Sequence, residues 1–276
     1  MRSKPFVFAA VLLLACRGPL LAQDLGSGDP LAVDRDAEAL RDAERERRLA
    51  FFRAISMDDE VTVRQMLAEG IDPNGDLIPP VSKEFVEGFE DARLRYFVSS
   101  ERGFTPLMLA TALGNEILVR ELLSGGASPG LKTKRHKTFA LWLAGKYEHL
   151  EIMRMLMGIG PEDSIRDLYL WVDIERQRAT LFDGDEQVME TPVSTGRKSH
   201  PTPRGWFIVT DKYQQWVSTL YRAKMPYYLR LSCSDFGLHG GALPGYPASH
   251  GCIRLPDSAA KKLFSMVPPG TLVGIE

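Results

Sequence analysis

Two stretches of the chain repeat at a fixed interval, and that interval limits what the middle of the sequence can become. "VRELLSGGASP" at 119–129 returns, more weakly, as "IMRMLMGIGPE" at 152–162, so Val119 and Ile152 stand 33 residues apart. "GFTPLMLATALGN" at 103–115 matches "HKTFALWLAGKYE" at 136–148, and Thr105 to Thr138 is again 33. An earlier copy, "VRQMLAEGIDP" at 63–73, begins 56 residues before Val119, one period plus 23. The surplus falls in "GDLIPPVSKEFVEGFEDARLRYF", an insertion at about 75–97. Each copy carries two short helical patterns. Their apolar faces, Leu107, Leu109 and Ala110 and then Val119, Leu122 and Leu123, are buried only when copies stack. Gly70 and Gly126 follow the second helix of their copies, where a left-handed residue ends it. Thr105-Pro106 opens the first helix, with proline tolerated in its first turn. The spacing predicts an all-α array over 49–162. Its ends are degenerate: "TFALWLA" lacks the proline, and "LAFFRAISMDDE" lacks that entry altogether.

From about 165 the texture changes. "DLYLWVDIERQRATLFDGDEQVMETPVSTG" alternates apolar and polar residues around Asp183-Gly184, which reads as strand, turn and strand. "GWFIVTDKYQQWVS", "YYLRLSCSDFGLHG" and "GTLVGIE" also read as strands. Only "DSAAKKLFSMV" reads as a helix, with Asp257 as its expected cap. The second domain, 165–276, is therefore mainly β with one short helix.

The first residues are a leader. "MRSK" places two positive charges before the short apolar run "PFVFAAVLLLAC", the layout of a secretory signal and too short to span a bilayer. "LLAC" makes Cys16 a candidate lipid anchor, with the chain then starting at that residue. The competing cut follows Ala22. Residues 23–48 are charged and read as a tether leading into a solvated helix. The expected compartment is the periplasm or cell envelope. The net charge of −2 provides no basic field for nucleic acid. Cys233 and Cys252 remain after Cys16. Cys233 reads as a core residue in a strand pattern, and a disulfide to Cys252 would silence that thiol. No CxxC pair occurs and the five histidines lack ligand spacing, so no metal site is expected.

The chemistry concentrates in "PGYPASHGCIRLP" at 244–256. A cysteine attacks as its thiolate, and a histidine that takes the proton makes it useful near neutrality. Acyl transfer further needs amide donors aimed at the oxyanion. Cys252 follows His250 and Gly251, and His239 ends the strand upstream. The Gly/Pro-rich "GGALPGYPA" between His239 and Ser249 can fold the chain back and bring His239 beside Cys252. His136, His149 and His200 read as surface or helix residues; Arg204 and Arg230 could meet substrate carboxylates but read first as ordinary surface charges.

"SHGCIRL" with the upstream "HGG" resembles the YkuD-type L,D-transpeptidase catalytic domain. "PVSTGRKSHPTPRGWFIV" at 192–209 and the opening strands fit the same family. The 33-residue period with "TPLMLA" resembles the ankyrin repeat. The first resemblance implies Cys252 as nucleophile and His239 as base, oriented by the Gly240 carbonyl. It implies an oxyanion hole from amides around His250, Gly251 and Cys252, support of the loop by Ser249 and His250, and Arg254 holding the loop or a substrate carboxylate. It implies peptidoglycan stem peptides as substrate, no cofactor, and a role in cell-wall biogenesis and cell shape. A Cys252 thioester would be resolved by an amine, giving a 3→3 crosslink. Resolution by water would make the same residues a hydrolase. A third expectation, of another class, is an envelope scaffold that binds a protein through the repeats.

Overall fold

The computed structural model describes residues 30–232 and 236–276, with side chains from 38 onward except those of Ser164 and Arg166. The leader, the Cys16 anchor and Cys233 lie outside the described residues. The chain divides into two units, Met1–Asp42 and Ala43–Glu276. The charged stretch expected as a tether is helical from Pro30, where α1 (Pro30–Ser56) begins. Among the described residues no helix is long and apolar enough to cross a membrane.

In the second unit, helices follow the repeat pattern. α2 spans Glu60–Ala68, α5 Pro106–Leu113, α6 Glu116–Ser124, α7 Ala140–Lys146 and α8 Leu150–Leu156. The Thr105 side chain accepts from the Met108 amide, Pro106 occupies the first turn, and Gly114 ends α5 in the left-handed region at φ +77°. Asn115 then caps α6, accepting from the Leu118 amide at 2.8 Å. In the next copy the expected start shifts. Phe139, not Thr138, stands before α7, without a side-chain cap; the Thr138 amide is spent on Thr133 Oγ1 at 3.0 Å. The insertion folds too: α3 (Lys83–Glu87) and α4 (Ala92–Ser100) are capped by Ser82 and Asp91. They deliver Phe85, Leu94, Phe97 and Val98 to the helical core.

The C-terminal region is an eight-stranded sheet: β1 Leu168–Asp173, β2 Arg178–Asp183, β3 Glu186–Pro192, β4 Gly205–Val217, β5 Lys224–Leu231, β6 Gly237–Gly240, β7 Ile253–Leu255 and β8 Leu272–Ile275. The strand order is β3-β2-β1-β8-β4-β5-β6-β7. The β1–β8 and β6–β7 pairs are parallel. Strand β4 joins the two halves, pairing with β8 through Gly205–Ile208 and with β5 beyond Val209, where the register shifts. Helix α9 (Asp257–Met266) packs on β5 and β6. Its N-cap is Pro256. Asp257, expected as the cap, is the first helical residue, and no side-chain cap bond forms there.

The helical core extends onto one face of the sheet. The period-2 alternation of β4 sends Phe207 and Val209 into the β-domain interior and Ile208 into the helical cluster, with Trp206 packed beside it. Leu272 and Tyr169 join from β8 and β1. At Gly145 of α7 an added Cβ would stand 2.7 Å from the Trp206 carbonyl oxygen, so the helix backbone meets the sheet directly.

The loop between α6 and α7 hangs on a buried carboxylate. Glu101 accepts from the Arg135 and His136 amides at 2.8 and 3.0 Å and from His136 Nδ1 at 2.9 Å. Burial opposes its ionisation. The hydrogen bonds from His136 and Arg135, with Thr133, outweigh burial and bring its pKa from 4.5 to about 2. A depressed carboxyl stabilises the fold above its unfolded pKa. That stability drains as pH falls from 4.5 towards about 2. Glu101→Gln should therefore cost on the order of 2 kcal/mol at pH 7 and flatten the acid dependence, measured by urea unfolding at pH 7 and 3.

Candidate active site

Strand pairing brings the candidate nucleophile and base to one face. Cys252 immediately precedes β7, which runs parallel to β6 with His239 opposite Arg254. Residues two apart share a face of a strand, so Cys252 and Arg254 project to the side His239 occupies. All three line a cleft of about 650 Å³. Trp216, Tyr221 and Arg230 also line it.

His239 is buried at 6% exposure. Its Nδ1 lies 2.7 Å from the Gly240 carbonyl oxygen. A carbonyl only accepts, so Nδ1 carries the proton and Nε2 is left as a lone pair. Burial lowers the His239 pKa below its usual value, and the Arg254 charge acts in the same direction. The Gly240 carbonyl and Asp257 oppose both. The ring is therefore neutral at pH 7, the form a general base needs. At Gly240 an added Cβ would stand 2.5 Å from Asp257 Oδ1 and 3.0 Å from Pro226 Cγ, so a larger residue would displace the Asp257 side chain.

The loop before Cys252 is held by its own polar groups. Ser249 is buried; its hydroxyl donates to the Cys252 carbonyl and accepts from the Gly251 amide, at 3.0 Å for the latter. Gly251 sits at φ +114°, in the region that favours glycine. With its amide given to Ser249, Gly251 shapes the loop rather than offering a donor to the cleft. His250 is exposed and lines the cleft. Arg197 Nη2 donates to its Nε2 at 2.6 Å, Tyr221 lies against it at 4.4 Å, and the His200 ring is 4.9 Å away. Partial desolvation, then Arg197 and His200, hold its pKa below the usual value.

A neighbouring segment that the sequence reading quoted but gave no roles supplies the scaffold. Thr202 is buried; its hydroxyl donates to the Gly251 carbonyl and accepts from the Gly196 amide, both at 2.8 Å. The Ala248 and Ser249 amides donate to the Thr195 carbonyl, and the Arg197 amide to the Ser249 carbonyl. Ser194 and Arg254 exchange both backbone bonds. The signal was present: small hydroxyl residues, Ser194, Thr195 and Thr202, stand where the chain is neither helix nor regular strand, and such residues bond backbone. Arg230, expected as a surface charge, lines the cleft 5.1 Å from the Trp216 ring centre. Arg204 faces Glu175 at 3.9 Å and does not line it.

A family model described as the L,D-transpeptidase catalytic domain, YkuD, matches residues 167–275. A Bacillus licheniformis protein named "Putative L,D-transpeptidase YkuD" is 33% identical over 124 residues, covering 44% of this chain and 72% of its own length. The chain belongs to the YkuD-type L,D-transpeptidase family. The protein of the same name from Bacillus subtilis strain 168 is 35% identical over 95 residues, 33% of this chain and 56% of that one. Among solved structures, an L,D-transpeptidase from Mycobacterium smegmatis is 22% identical over 40% of this chain, with a TM-score of 0.38. The match spans 58% of that structure's length. A model for the ankyrin repeat matches residues 102–134, the stretch that holds α5 and α6. The YkuD-type match begins one residue before β1 and ends inside the last strand, so the family domain is the sheet with its cleft.

Two outcomes follow from this geometry. Thr202→Val keeps the shape but deletes the hydroxyl between Gly196 and Gly251. It should cost on the order of 1–3 kcal/mol by urea unfolding and change the iodoacetamide alkylation rate of Cys252, located by peptide mass. In an NMR titration, Arg254→Met should raise the His239 pKa and Asp257→Asn should lower it, since the two charges act in opposite directions.

Proposed function

We propose that this chain is a peptidoglycan L,D-transpeptidase that forms 3→3 crosslinks through a Cys252 thioester, at work in the periplasm or envelope to which the leader directs it. The observation that carries this reading is the neutral, carbonyl-anchored His239 on the same face of the β6–β7 pair as Cys252. His239 Nε2 takes the thiol proton while the sulfur attacks the carbonyl between the third residue of a tetrapeptide stem and its terminal D-alanine. The C–N bond breaks, His239 returns the proton to the leaving amine, and D-alanine departs. A side-chain amine of a second stem attacks the thioester. Its proton passes through His239 to the released sulfur, and the stem-to-stem amide remains.

The rest of the site has roles in this reading. The amides of His250 and Cys252 serve the tetrahedral oxyanion, with Gly251 setting the turn between them. Ser249 and Thr202 hold that turn against the strain of the reaction. Arg254, with no carboxylate in salt-bridge range among the described residues, is the fork for a substrate carboxylate. The helix pairs on either side of residues 102–134 are degenerate copies of the same repeat, and this array carries the protein partner that repeats suggest.

Incubation of purified muropeptides with the chain, beside Cys252→Ala and His239→Ala, tests the reading. A product with the mass of a 3→3 dimer is expected, abolished by Cys252→Ala and reduced about 10²–10⁴-fold by His239→Ala. Shortened stems or resolved dimers that still depend on Cys252 would replace transfer with hydrolysis. No Cys252-dependent product would overturn catalysis and leave the scaffold.

A further inference from the structure

A concentration of positive charge lies outside the cleft lining, on the loop that precedes α7. Lys132, Lys134, Arg135 and Lys137 are all exposed within six residues, in a chain whose net charge is −2. Arg102 joins them, since its carbonyl accepts from the Lys134 amide at 2.8 Å and its side chain is 68% exposed. The acids nearby are engaged. Glu101 is 1% exposed and bound to the loop backbone. Asp76 faces Arg102 at 3.6 Å and Arg48 at 3.9 Å, and Asp91 caps α4.

The loop is also rigidly held. Besides the two bonds to Glu101, the Thr133 amide donates to the Thr138 carbonyl at 2.8 Å, and the Thr138 amide to Thr133 Oγ1 at 3.0 Å. Its backbone is fixed before any partner arrives, so only the ordering of the side chains opposes binding. Beside the loop is a hollow of about 350 Å³ lined by Ala92, Arg93, Tyr96, Phe97 and His136. Its lining is mostly apolar and aromatic, and Arg93 and His136 supply its polar groups.

We propose that loop 131–138 and this hollow form a docking surface for an acidic peptide segment of a partner protein. The acidic groups lie on Lys132, Lys134, Arg135 and Lys137, and one apolar or aromatic side chain of the segment fills the hollow. The cationic loop alone would serve any polyanion. The hollow decides the occupant, because a mostly apolar concavity beside charged groups takes a single side chain, whereas a bilayer surface or a phosphate polymer leaves it empty. The proposal stands independently of the transferase reading.

Fluorescence anisotropy with the full chain and a labelled oligoglutamate carrying one central phenylalanine tests it. The phenylalanine peptide should bind. Lys132→Gln/Lys134→Gln/Arg135→Gln, with an unchanged melting temperature, should weaken it about tenfold or more, and Arg93→Gln, in the lining of the hollow, should weaken it as well. Replacing the phenylalanine by alanine should weaken binding about fivefold or more. Equal binding of the two peptides, or tighter capture of phosphatidylglycerol vesicles or inorganic polyphosphate, would make the surface a general polyanion patch and overturn the proposal. So would absence of peptide binding, or binding untouched by the triple variant.

Discussion

The site depends on one pairing, the parallel contact of β6 with β7. Parallel neighbours cannot be joined by a tight turn. The chain must leave Gly240, travel back along the strand length and re-enter in the same direction at Ile253. That return path is "GALPGYPASHGC", and it holds every residue of the loop that the chemistry uses. A path of this kind exposes backbone polar groups with no ladder to take them. The Thr195 carbonyl takes two of its amides, the Arg197 amide takes the Ser249 carbonyl, and Thr202 takes the Gly251 carbonyl. The 194–202 segment is therefore the second wall of the loop. Without it, Cys252 would have no fixed approach to His239.

The second constraint is that the helical repeats and the sheet are not separately closed. A helix pair buries a face against its neighbour, so the pair α7–α8 needs something beyond it. Here the sheet fills that place. Ile208, Leu272, Tyr169 and Trp206 complete the helical core, and their alternate neighbours Phe207, Val209 and Val273 complete the β interior. A single strand, β4, thus serves two cores with its two faces, and its far end reaches the cleft through Trp216.

Much of this was legible in the sequence, for identifiable reasons. The 33-residue period marked α5 to α8 because repeated helix pairs repeat their apolar spacing and their caps. In the copy that lacks the proline, α7 begins after Phe139 with no side-chain cap, one residue later than the period from Thr105 would put it. Asp257 was read as a cap because acidic residues cluster at helix starts for two reasons, capping and the favourable first turn; position one of the helix satisfies only the second. His239, Gly240 and Cys252 were legible as a constellation because their types are rare together. Thr202 was legible only as a small hydroxyl residue outside regular structure; its partners, the Gly196 amide and the Gly251 carbonyl, show only in three dimensions. The Gly251 amide was read as a donor to the oxyanion for the same reason: its partner, Ser249 Oγ, is two residues away but shows only in three dimensions.

The basic loop and the cleft are linked through one helix. Loop 131–138 runs directly into α7, whose Gly145 lies against the Trp206 carbonyl at the start of β4. No flexible segment intervenes: the loop is fastened to Glu101, the helix to the sheet, and the sheet to the cleft. A partner seated on Lys134 and Arg135 would be carried at a fixed attitude to Cys252 rather than on a leash. The shared core around Ile208 and Leu272 thereby does more than stabilise; it sets the angle at which anything held by the helices is offered to the cleft.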